Sequence, residues 1–311
     1  MEETCRVIVL GAASVDIKGR AQAGLRALTS NPGDVRLGVG GGARNVAENL
    51  ARLGVDTTLM TVVGDDPIGQ AILDYTVAAG VNIAPTLIAT EAHTGAYLTL
   101  ADAEGRILFA LDDMDALAEL VPDCIVAYEP LFYAADMIFV DANLPEATLA
   151  AVVDLSREQG IPLCADPTSA ILAPRLAPLL GEIDILVLNA AEAQVYCPRE
   201  VGGREAAIGM ARAVVQCGVG TAVVTLGAEG VAFATSDESG WIPAFPLDEV
   251  VDTTGAGAAL TAGVMFGLLN NVPLDEAVRL GASAAALTLQ THETVRSDLS
   301  LDLLYEQIMV F

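Results

Sequence analysis

The sequence predicts an α/β fold, a mostly parallel sheet covered by helices on both faces. Three observations carry that expectation. Short β-like runs alternate with helical patterns almost throughout, the arrangement that buries parallel strands between helices. The chain has 311 residues, enough for one large domain, taken as 1–311, with a sizeable core. Its hydrophobic fraction is 53%, yet no apolar run reaches the length of a membrane span; Gly281–Leu289 is too short and runs into polar residues.

The opening MEETCRVIVLGAAS carries two acids where a secretory leader carries basic residues, so it reads as a first strand, Arg6–Leu10. Asp16–Val39 has no helical stripe and contains the turn signal Ser-Asn-Pro-Gly. Val46, Leu50 and Leu53 mark one face of a helix over Ala43–Leu53. A strand over Thr57–Val63 and a helix over Pro67–Ala79 follow. Thr94–Leu100 and Arg106–Leu111 flank Ala-Asp-Ala-Glu-Gly and read as a β-hairpin. With the 16–39 region they predict a small β lid, about 12–40 and 92–114, over the strand ends where open α/β sheets bind ligands. Met137–Val140, Pro162–Ala165, Ile185–Leu188 and Ala222–Leu226 are the later strands, with helices at about 145–159 and 204–217. The last third is helical: Gly255–Leu269, Leu274–Leu289 and Leu301–Met309.

Composition narrows the function. Fifteen basic against 41 acidic residues give a net charge of −26, which repels nucleic acid and anionic membrane, so neither is an expected partner. Free nucleotides remain candidate ligands, because metal ions and backbone N–H groups hold phosphate in an acidic protein. The five cysteines are widely spaced, with no metal-ligand spacing and no implied disulfide framework; a reducing cytoplasm is the expected compartment. His93 and His292 stand alone, which argues against a zinc site or a Ser-His-Asp triad.

Four glycine-rich or polar motifs stand out, and two of them, at Asn189 and Thr225, directly follow strands. Gly38-Val-Gly-Gly-Gly-Ala43 matches the dinucleotide fingerprint G-x-G-x-x-A, with Asp56 downstream. That fingerprint needs a core strand directly before it, and Asp34–Val39 is short and flanked by glycine. The glycines instead let backbone approach a ligand, with Arg44 and Asn45 displayed at a helix start; a tight turn with a solvated Arg44 is the plain alternative. Asn189 and Glu192, one helical turn apart after a strand, can hold a hydrated Mg²⁺, although ordinary helix capping explains them too. Thr225, Gly227 and Gly230 suit a backbone touching a base or phosphate, or a strand-to-strand turn. Gly255-Ala256-Gly257 opens an apolar helix whose unpaired N–H groups suit an anion. A plain helix start capped by Thr253 or Thr254 is the alternative.

The order of these pieces, Gly-Gly-x-x-Asn near 41, Asn-x-x-Glu near 189, Thr-x-Gly near 225 and Asp-Thr-Thr-Gly-Ala-Gly at 252–257, resembles the ribokinase-like (pfkB) family of sugar and nucleoside kinases over essentially the whole chain. Within it the resemblance is nearest to the pseudouridine kinases, through GAASVD (11–16), SNPG (30–33), GGGARN (40–45), DDM (112–114), DANL (141–144), DPTSA (166–170) and DLS (298–300). The resemblance implies a ribokinase-like, Rossmann-like sheet with a β lid, ATP as donor, Mg²⁺, and often a monovalent cation such as K⁺. It assigns Asp16, Gly41, Gly42 and Asn45 to the ribose hydroxyls, with Arg44 as a basic residue beside them. It assigns Asn189 and Glu192 to Mg²⁺ and phosphates, and Thr225, Gly227 and Gly230 to the nucleotide. Asp252 and Thr254 go to the monovalent cation, and Gly255, Ala256 and Gly257 to the anion hole. A homodimer joined through the lid is the family habit.

Two positions depart from that pattern. Val187 stands where a lysine is often found. The family motif ends G-A-G-D, with the aspartate as general base, and this chain has Ala258 there. The expectation is binding of ATP and nucleoside with strongly reduced turnover. A non-catalytic nucleoside- or nucleotide-binding protein and a kinase for ribose or fructose are the rival readings.

Overall fold

Six apolar runs pair in parallel because helical segments carry the chain back across the sheet after each strand. In the computed structural model, which describes residues 4–199 and 202–309, they form one sheet. Its order is Asp56–Met60, Arg6–Leu10, Met137–Asp141, Leu163–Asp166, Ile185–Asn189 and Thr221–Thr225, continued by the antiparallel strands Val231–Ala234 and Ser239–Ile242. The last two strands were not expected from the sequence. The architecture is the expected α/β one, a mostly parallel sheet with flanking helices.

Alternate strand residues bury to opposite faces. Leu10, Val140 and Leu188 face a core closed by Pro122–Ala127, Glu146–Gln159 and Gly203–Gln216. Val9, Phe139 and Val187 face a second core closed by Gly42–Arg52, Ala256–Leu269 and Leu274–Thr288. Val187, where a lysine was looked for, is therefore a packed core residue.

The run expected as one strand over Thr57–Val63 is two. It leaves the main sheet after Met60, and Val62–Gly64 pairs with Leu87–Ala89 in a separate ribbon. A continuous β-prone run hides such a change of partner, because Leu59 and Met60 on one side of the break and Val62 and Val63 on the other are all buried.

A four-stranded sheet runs in the order Gly33–Gly40, Ser14–Ala21, Gly95–Ala101 and Ile107–Asp113. These strands fall within the segments expected to make a lid. Gly33–Gly40 belongs to this second sheet and not to the main one, so the glycine fingerprint at 38–43 lacks the core strand it needs. Register places Gly38, Asp16, Tyr97 and Asp112 in one row and Leu37, Ile17, Leu98 and Leu111 in the next. One face therefore carries Asp16 and Lys18, and the opposite face is aliphatic.

Asp141, at the C-terminal end of a central strand, holds the loops above the sheet. Its carboxylate accepts hydrogen bonds from the backbone N–H groups of Ala12 (2.9 Å), Ala43 (3.1 Å) and Asn143 (3.0 Å). Asn143 adds its side-chain amide at 3.1 Å. Asp141→Ala strands three buried N–H donors and is expected to lower the unfolding free energy by about 3 kcal/mol or more, read by urea denaturation.

Candidate active site

Ala256–Leu269 begins at Gly255, whose φ of +88° is left-handed and whose missing Cβ leaves room for the backbone of Thr294. No side chain caps this start, and its first turn holds no acid. The first intrahelical bond runs from the Ala259 N–H to the Gly255 carbonyl at 2.9 Å. The N–H groups of Ala256, Gly257 and Ala258 precede it and stand at the positive end of the helix. Ala256 and Gly257 line a cavity of about 250 Å³ together with Thr225, Gly227, Gly230 and Thr253. Residues from two expected motifs thus share one space. Ala258 is partly buried against the adjoining core.

Asn189 and Glu192 form a complete capping box. The Asn189 side chain accepts from the N–H groups of Ala191 (2.9 Å) and Glu192 (3.0 Å), and Glu192 Oε2 accepts from the Asn189 N–H at 2.7 Å. The plain capping reading is therefore correct for both side chains, yet it does not empty the site. Asn189 lines a cavity of about 470 Å³ with Thr225 and Gly227. Burial pushes the Glu192 carboxyl up, against its bonds to Asn189. The Asp166 carboxyl is pushed up to about 8, by desolvation first and by Glu192 next. Asp166 was absent from the expected site residues, although its stretch DPTSA was singled out. Two desolvated carboxyls that repel one another are a donor set suited to a hard divalent cation. No cluster of three or more candidate ligands exists among the described residues, so such an ion would complete its shell with water and phosphate.

The expected acceptor residues gather at the junction of the second sheet and the helix Gly42–Arg52. Asp16 is buried, and its carboxyl is pushed up to about 6 by desolvation, while Lys18 and Arg44 draw it down. Its carboxylate occupies the space that a Cβ on Gly40 would fill. Gly41 caps the helix and Gly42 begins it.

Arg44 does not reach into open space as expected. Its guanidinium is 1% exposed and pairs with Glu48 at 2.5 Å, with further bonds to the Gly40 carbonyl (3.1 Å) and to Asn45 Oδ1 (2.6 Å). Glu48 also pairs with Arg52 at 2.5 Å. Burying this guanidinium demands such partners, so Arg44 is committed to the helix it starts. Because guanidinium only donates, the Asn45 oxygen must face it, which leaves the Asn45 NH₂ as the group free to meet a ligand. Arg44 also borders a cavity of about 560 Å³ lined by Leu37, Ile68 and Tyr75. Asp16, Gly41, Gly42 and Asn45 do not line it.

Asp252 was expected to bind a monovalent cation with Thr254. Its Oδ2 instead accepts from Lys18 Nζ at 2.8 Å, and its Oδ1 from the Thr254 N–H at 2.8 Å. Lys18 first and Thr254 next draw the Asp252 carboxyl down, against the larger effect of desolvation. A lysine ammonium from the second sheet stands where the cation was looked for, so these residues do not fit a K⁺ site.

Two measurements check this account. Asp166 carries a folded value raised from 3.8 to about 8, so its protonated form favours folding and that contribution is lost as pH rises through about 8. Asp166→Asn is expected to melt higher than the parent above about pH 8, with the advantage vanishing as pH falls toward 4. Replacing choline chloride by KCl should leave the parent's Tm unchanged and raise that of Lys18→Met, whose Asp252 has lost its ammonium partner.

Residues 5–300 match the pfkB family carbohydrate kinase profile. The chain is 32% identical over 265 residues to the pseudouridine kinase of Escherichia coli K12, covering 85% of this chain and 84% of that protein. It is 28% identical over 258 residues to the ribokinase of Staphylococcus aureus, covering 82% and 83%. Among solved structures, a carbohydrate kinase from Agrobacterium tumefaciens superposes with a TM-score of 0.83 at 31% identity, over 98% of this chain and 97% of that one. An Arabidopsis thaliana ribokinase solved with ribose and ATP shares the fold, with a TM-score of 0.83 at 22% identity over 98% and 99%. The chain belongs to the pfkB family of carbohydrate kinases.

Proposed function

We propose that this chain derives from an enzyme that moves the γ-phosphoryl group of ATP to the 5′-hydroxyl of pseudouridine, with turnover strongly reduced by Ala258. One observation carries the phosphotransfer reading: an uncapped helix start, Ala256–Gly257, lines the same cavity as Thr225, Gly227 and Gly230. The similarity to the E. coli pseudouridine kinase supports the choice of acceptor.

In this reading Thr225, Gly227 and Gly230 hold the nucleotide, and Gly255, Ala256 and Gly257 direct N–H groups at the transferring phosphate. Asp16, mostly ionised at neutral pH, accepts hydrogen bonds from ribose hydroxyls, while the Asn45 NH₂ donates to them. Gly41 and Gly42 keep backbone close to the sugar. Glu192 and Asp166, with Asn189 fixing the helix that carries Glu192, would hold Mg²⁺. A bound Mg²⁺ neutralises charge on the phosphate oxygens. Ala258 has no atom that accepts the hydroxyl proton, so positioning and charge stabilisation operate without a base.

The second sheet is the proposed lid, and its aliphatic face the proposed seat of a homodimer. Val35, Leu37, Phe109 and Leu111 lie exposed on adjoining rows of that face. An apolar sheet face of this extent is a natural contact for a second copy. The proposed compartment is the cytoplasm, which supplies ATP and keeps thiols reduced.

The test compares the parent with Ala258→Asp in ATP, Mg²⁺ and pseudouridine, following pseudouridine 5′-phosphate. The substitution is expected to raise kcat by roughly 10²–10⁴ while calorimetry shows the parent binding both ligands. Tight binding with no product from either chain would establish a non-catalytic binding protein. Faster phosphorylation of ribose or fructose by Ala258→Asp would make the chain a plain sugar kinase.

A further inference from the structure

We propose that Cys197 and Cys217 are a redox-modifiable pair that closes reversibly into an intrachain disulfide. Their Sγ atoms lie 3.2 Å apart, closer than two sulfurs in van der Waals contact. Bringing them to the bonded separation of about 2.05 Å asks each sulfur to move only about 0.6 Å. Cys197 ends the helix Ala190–Tyr196 and Cys217 ends the helix Gly203–Gln216, so the two thiols meet where two helices release the chain. Neither cysteine belongs to the residues proposed for ATP, Mg²⁺ or acceptor.

The pair is also ordered for the reaction. Cys217 is exposed and Cys197 is buried. The Cys217 thiol donates to the Ala213 carbonyl at 3.3 Å, which holds it beside its partner. Burial first and Cys217 next push the Cys197 thiol up to about 12, so the exposed cysteine is the entry point. With a small-molecule disulfide of the glutathione type as oxidant, the Cys217 thiolate attacks one sulfur, forms a mixed disulfide and expels one thiolate. Cys197 then attacks Cys217 Sγ, its proton passing to the second departing thiolate. The protein loses two protons and two electrons, and one oxidant disulfide becomes two thiols. Among the described residues Cys5, Cys124 and Cys164 have no such neighbour: Cys5 meets the Leu269 carbonyl, Cys124 meets the Glu119 carbonyl, and Cys164 is fully buried in the sheet.

Closure joins residues 20 apart and ties together two helices under the nucleotide cavity. The first begins at the Asn189–Glu192 capping box. The second begins where the Gly203 N–H donates to Glu229, beside Gly227, at 3.1 Å. The oxidised chain is thereby restrained in its unfolded state as well as stiffened in its folded one.

The experiment exposes the folded protein to oxidised glutathione under native conditions and reads mass, free thiols and Tm. The parent should lose two of its five thiols, counted after denaturation, and yield a Cys197–Cys217 linked peptide on digestion. Its Tm should rise by roughly 3–6 °C, with all changes reversed by dithiothreitol. Cys197→Ser should stop at one glutathionyl group on Cys217, and Cys217→Ser should take up nothing at Cys197. A stable glutathionyl adduct on Cys217 of the parent, a linkage through any other cysteine, or no reaction would each overturn the proposal. These readouts do not involve phosphoryl transfer, so they stand or fall apart from the kinase reading.

Discussion

The carboxylate of Asp141 gathers three separate loops onto one point. It accepts from Ala12 after the first strand, from Ala43 at the start of the following helix, and from Asn143 beyond its own strand. Desolvation raises its carboxyl, and the backbone N–H groups around it counter that cost. Close approach of the Gly11 backbone is part of the same arrangement, since a Cβ there would meet the Asp141 side chain. Asp16, Gly41, Gly42 and Asn45 all lie on the segments so anchored. The placing of these four residues depends on a carboxylate bonded only within the protein.

The two helix starts that face the strand ends are built in opposite ways. The start of Ala190–Tyr196 is closed by its own side chains, which satisfy the N–H groups internally. The start of Ala256–Leu269 is left open, with glycine in a left-handed turn and no capping side chain. An open terminus beside a cavity favours an anion and a closed one does not, so the polarity of the site is written into capping chemistry.

Strong periodicity made the main sheet legible. Met137–Val140 and Ile185–Leu188 each extend by only one residue in the structure, to Asp141 and Asn189. Ser239–Ile242 escaped notice because Ser-Gly-Trp-Ile is short and has no alternation to detect. Thr225, Gly227, Ala256, Gly257 and Asn189 were singled out from local motifs and lie on cavity walls, but no such motif announced the charges. Arg44 looked like a surface cation; its i+4 acid Glu48, followed four residues later by Arg52, was the available sign of a local network. Lys18 and Asp252 are 234 residues apart, and nothing local announces their pairing. Cys197 and Cys217 likewise become neighbours only when two helix ends converge.

Thr294 touches both halves of the molecule. Its hydroxyl donates to the Val39 carbonyl of the second sheet at 2.5 Å, and its own backbone lies against Gly255. Sheet strand, Thr294 and helix mouth are therefore linked like gears, with Lys18 and Asp252 as a parallel coupling. The second sheet thus meets the 252–255 segment, from which the Ala256–Leu269 helix starts, through one hydroxyl relay and one ion pair, so a change in the pose of either body strains both contacts at once.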